Sequence, residues 1–244
     1  MKIWAHRGAS AYAPQNTLEA FRLAAELGAD GIELDVHLTV DGEIVVCHNE
    51  TIDATSNGTG EIHDMTLAEL KQYDFGCKFP GFAGKGVTIP TLREVYACVA
   101  PTGMIVNCEL KTNVHEYPGI EEKCIALSHE MGMYERVLYS SFNFDSLQRV
   151  LAIDPTIRTG LLYEGPVDDA LGLALGKKAW ALHPYYPRTY EDDLAAFAAR
   201  GVQVNPWTVD DPEEIRRQMD MGIHAVITDA PDVARRVRDE GDKH

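Results

Sequence analysis

Apolar positions along this chain switch repeatedly between two spacings. Ile3, Trp4 and Ala5 form an unbroken apolar run, as expected of a strand buried on both faces. Then Leu18, Phe21, Leu23, Ala24 and Leu27 recur at helical spacing. Asn16 with Glu19 reads as a capping box at the start of that helix, and Gly28 as its stop. The stretch "DGIELDVHL" is strand-like, and so is "DGEIVVCH", with Asp41-Gly42 as a hairpin turn between them. From Thr91 the alternation resumes, with a second capping box formed by Thr91 and Glu94.

Strands centred on Ile3, Ile32, Ile105, Val137, Leu161, Ala181, Val204 and Val226, each followed by a helical run, give eight strand–helix units. Buried strands alternating with helices imply parallel pairing. Eight such units in 244 residues predict a closed (β/α)8 TIM barrel, an α/β fold with its chemistry at the C-terminal strand ends. An open doubly wound sheet fits the same alternation, although the chain has neither a GxGxxG nor a Walker A loop to accompany it. Residues 49–90 are rich in Gly, Asn and Thr, with one short helical piece after Thr66. They read as an insertion of loops after the second strand, within a single domain spanning 1–244.

Composition narrows the function. The net charge of -16 argues against nucleic acid and anionic membranes as partners, both of which need a basic footprint. No apolar run approaches the roughly 18 residues of a membrane span. The opening "MKIWAHRGAS" lacks the apolar stretch of a signal peptide, so a cytoplasmic protein without a stable membrane anchor is expected. The five cysteines form no CxxC pair, and an odd count without a secretory signal predicts reduced thiols. The sequence points to no particular oligomer. If the substrate is anionic, so acidic a chain needs local positive charge, which a metal ion supplies most simply.

The strand ends are where the chemistry collects. The first ends in His6-Arg7, the second in Glu33-Leu34-Asp35, the following hairpin in His48-Asn49, the next strand in Asn107-Cys108-Glu109-Leu110-Lys111, and the seventh in Asn205-Pro206-Trp207. Period-two geometry puts Glu33 and Asp35 on one face of their strand, and Asn107, Glu109 and Lys111 on one face of the next. Three carboxylates brought together repel unless a cation sits between them. All-oxygen ligation suits Mg2+ or Ca2+ rather than Zn2+. Neutralisation of the same acids by Arg7 and Lys111 in a structural ion-pair network is the other reading.

The stretches "AHRGASAYAPQNTLEAF", "GADGIELDVHLTVDGEIVVCHN", "TSNGTGEI", "IPTLREV", "CELK", "SSFN", "NPWTV" and "VITDAPD" occur in order from residue 5 to residue 232. Together they resemble the glycerophosphodiester phosphodiesterase family. The resemblance implies a (β/α)8 barrel with an insertion after its second strand. It implies metal-dependent hydrolysis of a small glycerophosphodiester to sn-glycerol 3-phosphate and an alcohol. It makes His6 and His48 a general acid–base pair, and Arg7 and Lys111 phosphate contacts. Glu33, Asp35 and Glu109 become ligands of a divalent cation, Mg2+ or Ca2+, and Trp207 a wall for the glycerol. Gln15 and Asn49 depart from the family pattern, which commonly has Glu and Asp there; each keeps an oxygen acceptor and loses a charge.

Two other functions fit the same residues. Relatives of lysophospholipase D type act on acylated lipids, and the three Phe residues of "DFGCKFPGFAGKG" offer apolar surface for one. A phosphodiester-binding protein that does not cleave is the other, motivated by Gln15 and Asn49. Of the remaining histidines, His37 is expected at the rim of the mouth and His183 is a candidate pocket residue. His63, His115, His129, His224 and His244 are expected at the surface or in loops. Phe142, Tyr185 and Tyr186 are candidates to wall the pocket.

Overall fold

Trp4 and His6 point to the same side of the first strand, and that side is the inside of a barrel. The computed structural model describes residues 1–191 and 194–241. His244 therefore lies outside the described residues. The strands are β1 (Lys2–Ala5), β2 (Gly31–Leu38), β3 (Ile44–Val46), β4 (Ile105–Leu110), β5 (Val137–Ser141), β6 (Thr159–Tyr163), β7 (Ala181–Pro184), β8 (Gln203–Val204) and β9 (Ala225–Thr228). The helices are α1 (Leu18–Glu26), α2 (Leu67–Leu70), α3 (Leu92–Val99), α4 (Ile120–Glu130), α5 (Phe144–Ile153), α6 (Ala170–Lys177), α7 (Leu194–Ala199), α8 (Pro212–Asp220) and α9 (Pro231–Gly241).

Eight strands run parallel in the order β8-β7-β6-β5-β4-β2-β1-β9, and β3 pairs antiparallel with β2. The ring closes between β8 and β9 through single bonds rather than a regular ladder. The His224 N–H donates to the Val204 carbonyl at 3.0 Å, and the Ile227 N–H to the Pro206 carbonyl at 3.0 Å. The fold is thus the predicted TIM barrel and not an open sheet.

Strand parity sorts the side chains. Ile32, Leu34 and Val36 of β2 join Val106, Cys108 and Leu110 of β4 in the apolar layer beneath the helices. Trp4, Leu138, Ala225 and Ile227 fill the barrel interior. Two glycines make room there. A Cβ at Gly31 would lie 2.9 Å from the Trp4 ring, and one at Gly160 would lie 2.5 Å from the His183 ring.

Thr17, not Asn16, caps α1, its hydroxyl accepting the Ala20 N–H at 3.3 Å. Such a cap contributes about 1 kcal/mol. The Thr91/Glu94 capping box of α3 forms as the sequence predicts, and a further one, Thr66/Glu69, starts α2. Between β3 and α3 the chain folds as loops, a 3-10 turn (Ile62–Asp64) and α2, over a small core of Ile52, Ile62, Leu70, Phe75, Val87 and Ile89. Phe82 packs against that core and edge-on to Phe79 at 5.6 Å, so the three Phe residues hold the segment together. All five cysteines are unpaired. Among the described residues no helix is long and apolar enough to cross a membrane.

Candidate active site

Ladder register places the acidic residues. Glu33 lies opposite Asn107, and Asp35 opposite Glu109, across the β2–β4 pair. Their inward side chains rise at the C-terminal mouth of the barrel. One oxygen from each of Glu33, Asp35 and Glu109 falls within 4.8 Å of the others. All three residues are buried.

The positive groups come from two directions. After β1 the backbone turns through the left-handed region at Arg7 (φ 56°) and Gly8 (φ 84°). That turn aims the Arg7 N–H at Glu33 Oε2, 3.0 Å away. The guanidinium Nε lies 3.7 Å from Asp35 Oδ2, and Nη1 donates to Gln15 Oε1 at 2.7 Å. Lys111 Nζ lies 3.1 Å from Glu109 Oε1 and 3.7 Å from Asp35 Oδ1. Asn16, in the left-handed region at φ 56°, donates its amide to Asp35 Oδ2 at 2.8 Å.

The ion-pair network considered as the alternative thus exists, but it leaves the site one negative charge in excess, two cations against three carboxylates. Burial would raise the Asp35 pKa, yet Lys111 and Arg7 outweigh it and hold the carboxyl down at about 2. Burial and the neighbouring carboxylates push Glu33 well up, and burial with Asp35 pushes Glu109 up to about 7. Burial is the larger cause of both shifts, and the crowding of like charges adds to it. Asn107, buried and lining the same cleft, has neither amide atom hydrogen-bonded. An all-oxygen donor set, an uncompensated charge and an orphaned buried amide fit a hard divalent cation.

Two histidines flank the cluster. His6 Nδ1 lies 2.7 Å from Asp229 Oδ1, in the turn after β9. His48 Nδ1 lies 2.6 Å from Asn49 Oδ1. In each case the partner oxygen fixes the ring and leaves Nε2 free for the cleft. Burial lowers the His48 pKa from its usual value, against the pull of Asp35.

His6, Arg7, Glu33, His48, Glu109 and Trp207 all line one cleft of about 210 Å3. Asp35 and Lys111 stand behind its wall and touch residues that form it. Trp207 donates its indole N–H to the His183 carbonyl at 2.8 Å and meets Phe142 edge-on at 5.7 Å. Phe142 lines the cleft as anticipated, Tyr185 packs on Trp207 at 5.8 Å, and Tyr186 joins the core under α8 and α9.

Several expectations need correction. His37 is not at the rim: it is fully buried, with Nδ1 3.0 Å from the Tyr117 hydroxyl and Nε2 3.4 Å from the His48 carbonyl. The loop after β4 covers it. His183 is not in the cleft but packed within the barrel, against Trp4 and 3.1 Å from the Asn205 amide. His63 and His115 do lie in a 3-10 turn and a loop, both partly exposed, and their rings meet with centroids 4.1 Å apart at a tilt of 38°. Asn16 serves Asp35 instead of capping α1. Asp229 and Glu164 were not anticipated at all. Asp229 directly follows the end of β9 and Glu164, exposed at the cleft wall, directly follows the end of β6, so position at a strand end was the signal that could have found both.

Acids, two histidines and an Arg–Lys pair thus meet at the C-terminal mouth of a TIM barrel, the face on which enzymes of this fold carry their chemistry. The chain matches the model of the glycerophosphoryl diester phosphodiesterase family over residues 6–233 and belongs to that family. It is 45% identical over 230 residues to a glycerophosphodiester phosphodiesterase of Caldanaerobacter subterraneus subsp. tengcongensis, covering 94% of each chain. It is 36% identical to one from Bacillus altitudinis, covering 98% of each. Its fold matches an Oleispira antarctica phosphodiesterase solved in complex with the product sn-glycerol-3-phosphate, with a TM-score of 0.85 and 31% identity over 98% of this chain and 97% of that one.

Proposed function

We propose that this chain hydrolyses small glycerophosphodiesters to sn-glycerol 3-phosphate and an alcohol, with a divalent cation, Mg2+ or Ca2+, held by Glu33, Asp35 and Glu109. The observation that carries the reading is the convergence of that buried, under-compensated carboxylate cluster with His6, His48 and Arg7 on one cleft. The product bound by the Oleispira antarctica relative supports the regiochemistry. The whole chain acts as one barrel unit, with 49–90 as its insertion.

A phosphodiester is an anion and a poor electrophile. A cation held there would supply Lewis acidity to the phosphate. Arg7 donates to the phosphate from the rim, and Lys111, beside both Asp35 and Glu109, helps to hold Asp35 ionised from behind. His48, kept neutral at pH 7 by burial, accepts at Nε2 the proton of a water whose oxygen adds to phosphorus as the bond to the leaving alcohol breaks. His6, oriented by Asp229, donates to the leaving alcohol. Trp207 and Phe142 present a flat apolar wall to the glycerol.

The phenylalanines of the insertion pack inward or against each other, which favours a small substrate over a lysolipid. Gln15 and Asn49 each accept a hydrogen bond from the group that they serve, which favours turnover over mere binding.

The test uses EDTA-stripped protein and sn-glycero-3-phosphocholine, with Mg2+, with Ca2+ and with neither. Glycerol 3-phosphate and phosphocholine are assayed separately. Metal-dependent release of glycerol 3-phosphate is expected. Phosphocholine instead would reverse the orientation given to Trp207, and no product from any headgroup would overturn the activity.

A further inference from the structure

Outside the lining of the cleft, a second cluster of metal-binding groups joins two parts of the fold. Glu61 and His63 lie at the 3-10 turn of the insertion, and His115 in the loop between β4 and α4. Glu61 Oε2 lies 3.0 Å from His63 Nδ1 and 2.8 Å from His115 Nε2. One ligand atom from each residue falls within 4.8 Å of the others. We infer that Glu61, His63 and His115 form a second metal site, for a borderline transition ion such as Zn2+, that clips the insertion to the barrel.

The donor set points to that class of ion. Two imidazole nitrogens and one carboxylate suit Zn2+ and its neighbours, whereas Mg2+ and Ca2+ take oxygen. This separates the site from the all-oxygen cluster at the mouth. The geometry is close to what such an ion needs. Bonds of about 2.0–2.1 Å in a tetrahedron space the ligand atoms about 3.3–3.4 Å apart. The two nitrogen–oxygen contacts of 3.0 and 2.8 Å would have to open by only about half an ångström, which side-chain torsions allow.

A second, independent feature supports ligation. His63 Nε2 lies 3.3 Å from Asp64 Oδ1, on the far side of the ring from Glu61. A carboxylate holding the second nitrogen of a histidine is the usual support behind a metal-bound imidazole, fixing its tautomer and raising its basicity. Asp64 is exposed and within 3.3 Å, so a small rotation into hydrogen-bonding geometry would leave the Nδ1 lone pair for the ion.

The scaffold is rigid where it has to be, and open where an ion must enter. Ile62, between the two insertion ligands, is fully buried, and its N–H donates to the Glu50 carbonyl at 2.8 Å. Tyr117, two residues beyond His115, is buried, and its ring packs 5.8 Å from that of His115. The three ligand side chains are between 28% and 42% exposed, so solvent reaches the site and water can complete the coordination. Glu61 and His115 are 54 residues apart in sequence, so an ion bridging them closes a long loop.

The test uses tag-free, EDTA-stripped full chain carrying Glu33→Gln and Glu109→Gln, which removes the mouth as a competitor. Co2+ is titrated and its visible ligand-field absorption followed, with Zn2+ then added as competitor. One Co2+ per chain, displaced by Zn2+, is expected. His63→Ala and His115→Ala should each weaken binding at least tenfold, and Asp64→Asn about tenfold or more. Glu61→Gln, which keeps the shape of the site, should also weaken it, and thermal melts of the metal-free proteins establish that every variant folds. Zn2+ should raise the melting temperature of the parent and not of His115→Ala. Absence of binding in the parent, or binding untouched by both histidine substitutions, would overturn the inference. Glycerophosphodiester turnover by otherwise wild-type His115→Ala with Mg2+ reports on the mouth alone, so the two readings fail separately.

Discussion

His6, directly after β1, and Asp229, directly after β9, face each other at 2.7 Å, so the pairing of the first and last strands orients the histidine proposed to transfer a proton. The Ser10 hydroxyl, 2.8 Å from the same carboxylate oxygen, helps to hold it in place. Burial would raise the Asp229 pKa, but the His6 contact outweighs it and keeps the carboxylate ionised. Asp229 does not line the cleft; it acts through His6. Asp229→Asn offers an amide oxygen or an amide N–H to Nδ1, so the ring loses its fixed tautomer. We expect kcat to fall about 100-fold, part of the 10²–10⁴-fold that one proton transfer contributes. KM for glycerophosphocholine should change less than threefold, because no substrate contact is lost. An equal loss in KM would make Asp229 a binding residue instead.

Asn49 is the neutral counterpart of that arrangement, 2.6 Å from His48. Asn49→Asp would set a carboxylate against the ring and favour imidazolium, by a unit or more for so close a charge. His48 must be unprotonated to act as base. Raising its pKa therefore moves the acidic limb of the pH–rate profile to higher pH. On that limb the variant should be slower than the parent, with the two converging as the pH rises past it. A shift of that limb in the other direction, or none, would remove His48 from the role of base.

The barrel was legible in the sequence because its strands are short buried runs and its helices carry period and caps. The mouth was legible for the same reason: Glu33, Asp35, Asn107 and Glu109 follow from parity alone once the strands are set. What was missed depends on contacts between distant segments. Nothing local to β2 says that Tyr117 arrives from the loop after β4 to cover His37. Nothing local to Asn16 says that a left-handed turn will carry its amide away from α1 to Asp35. His63 and His115 meet only because the insertion folds back across the mouth-side loop.

Gly8 is where backbone and site meet most tightly. Its φ is +84°, and a Cβ there would stand 2.6 Å from the Ala20 Cβ and 2.7 Å from the Ala20 carbonyl carbon, in the body of α1. The left-handed conformation costs an alanine about 1–2 kcal/mol, and overpacking typically about 1–3 kcal/mol more. Gly8→Ala should destabilise the protein by about 2–5 kcal/mol in urea unfolding. The same turn aims the Arg7 N–H at Glu33, so turnover should fall in the folded fraction as well. Unchanged stability would mean that α1 shifts freely away from the turn, and the coupling between them would be lost.

His183 gives the chain a built-in sensitivity to acid. It is fully buried beside Trp4, and burial pushes its pKa down to about 3, with His224 adding a smaller push. Its Nε2 can accept from the Asn205 amide at 3.1 Å, and its Nδ1 has no hydrogen-bond partner. The folded protein therefore holds this ring neutral down to low pH. In the unfolded chain it takes a proton near pH 6.5. Between those two values the unfolded state binds more protons, so stability falls as the pH falls, by about 1.4 kcal/mol per pH unit from this group alone. From pH 7.5 to pH 4.5 that amounts to about 2–3 kcal/mol. Other groups titrate in the same range, so the comparison is with His183→Gln, which keeps an acceptor for Asn205 and cannot titrate. The substitution adds a constant packing cost, and the gap between the two proteins should narrow by about 2–3 kcal/mol as the pH is lowered through that window. Parallel stability curves would mean that the buried ring is protonated in the folded state, and the barrel interior would need an anion that its described residues do not place beside His183.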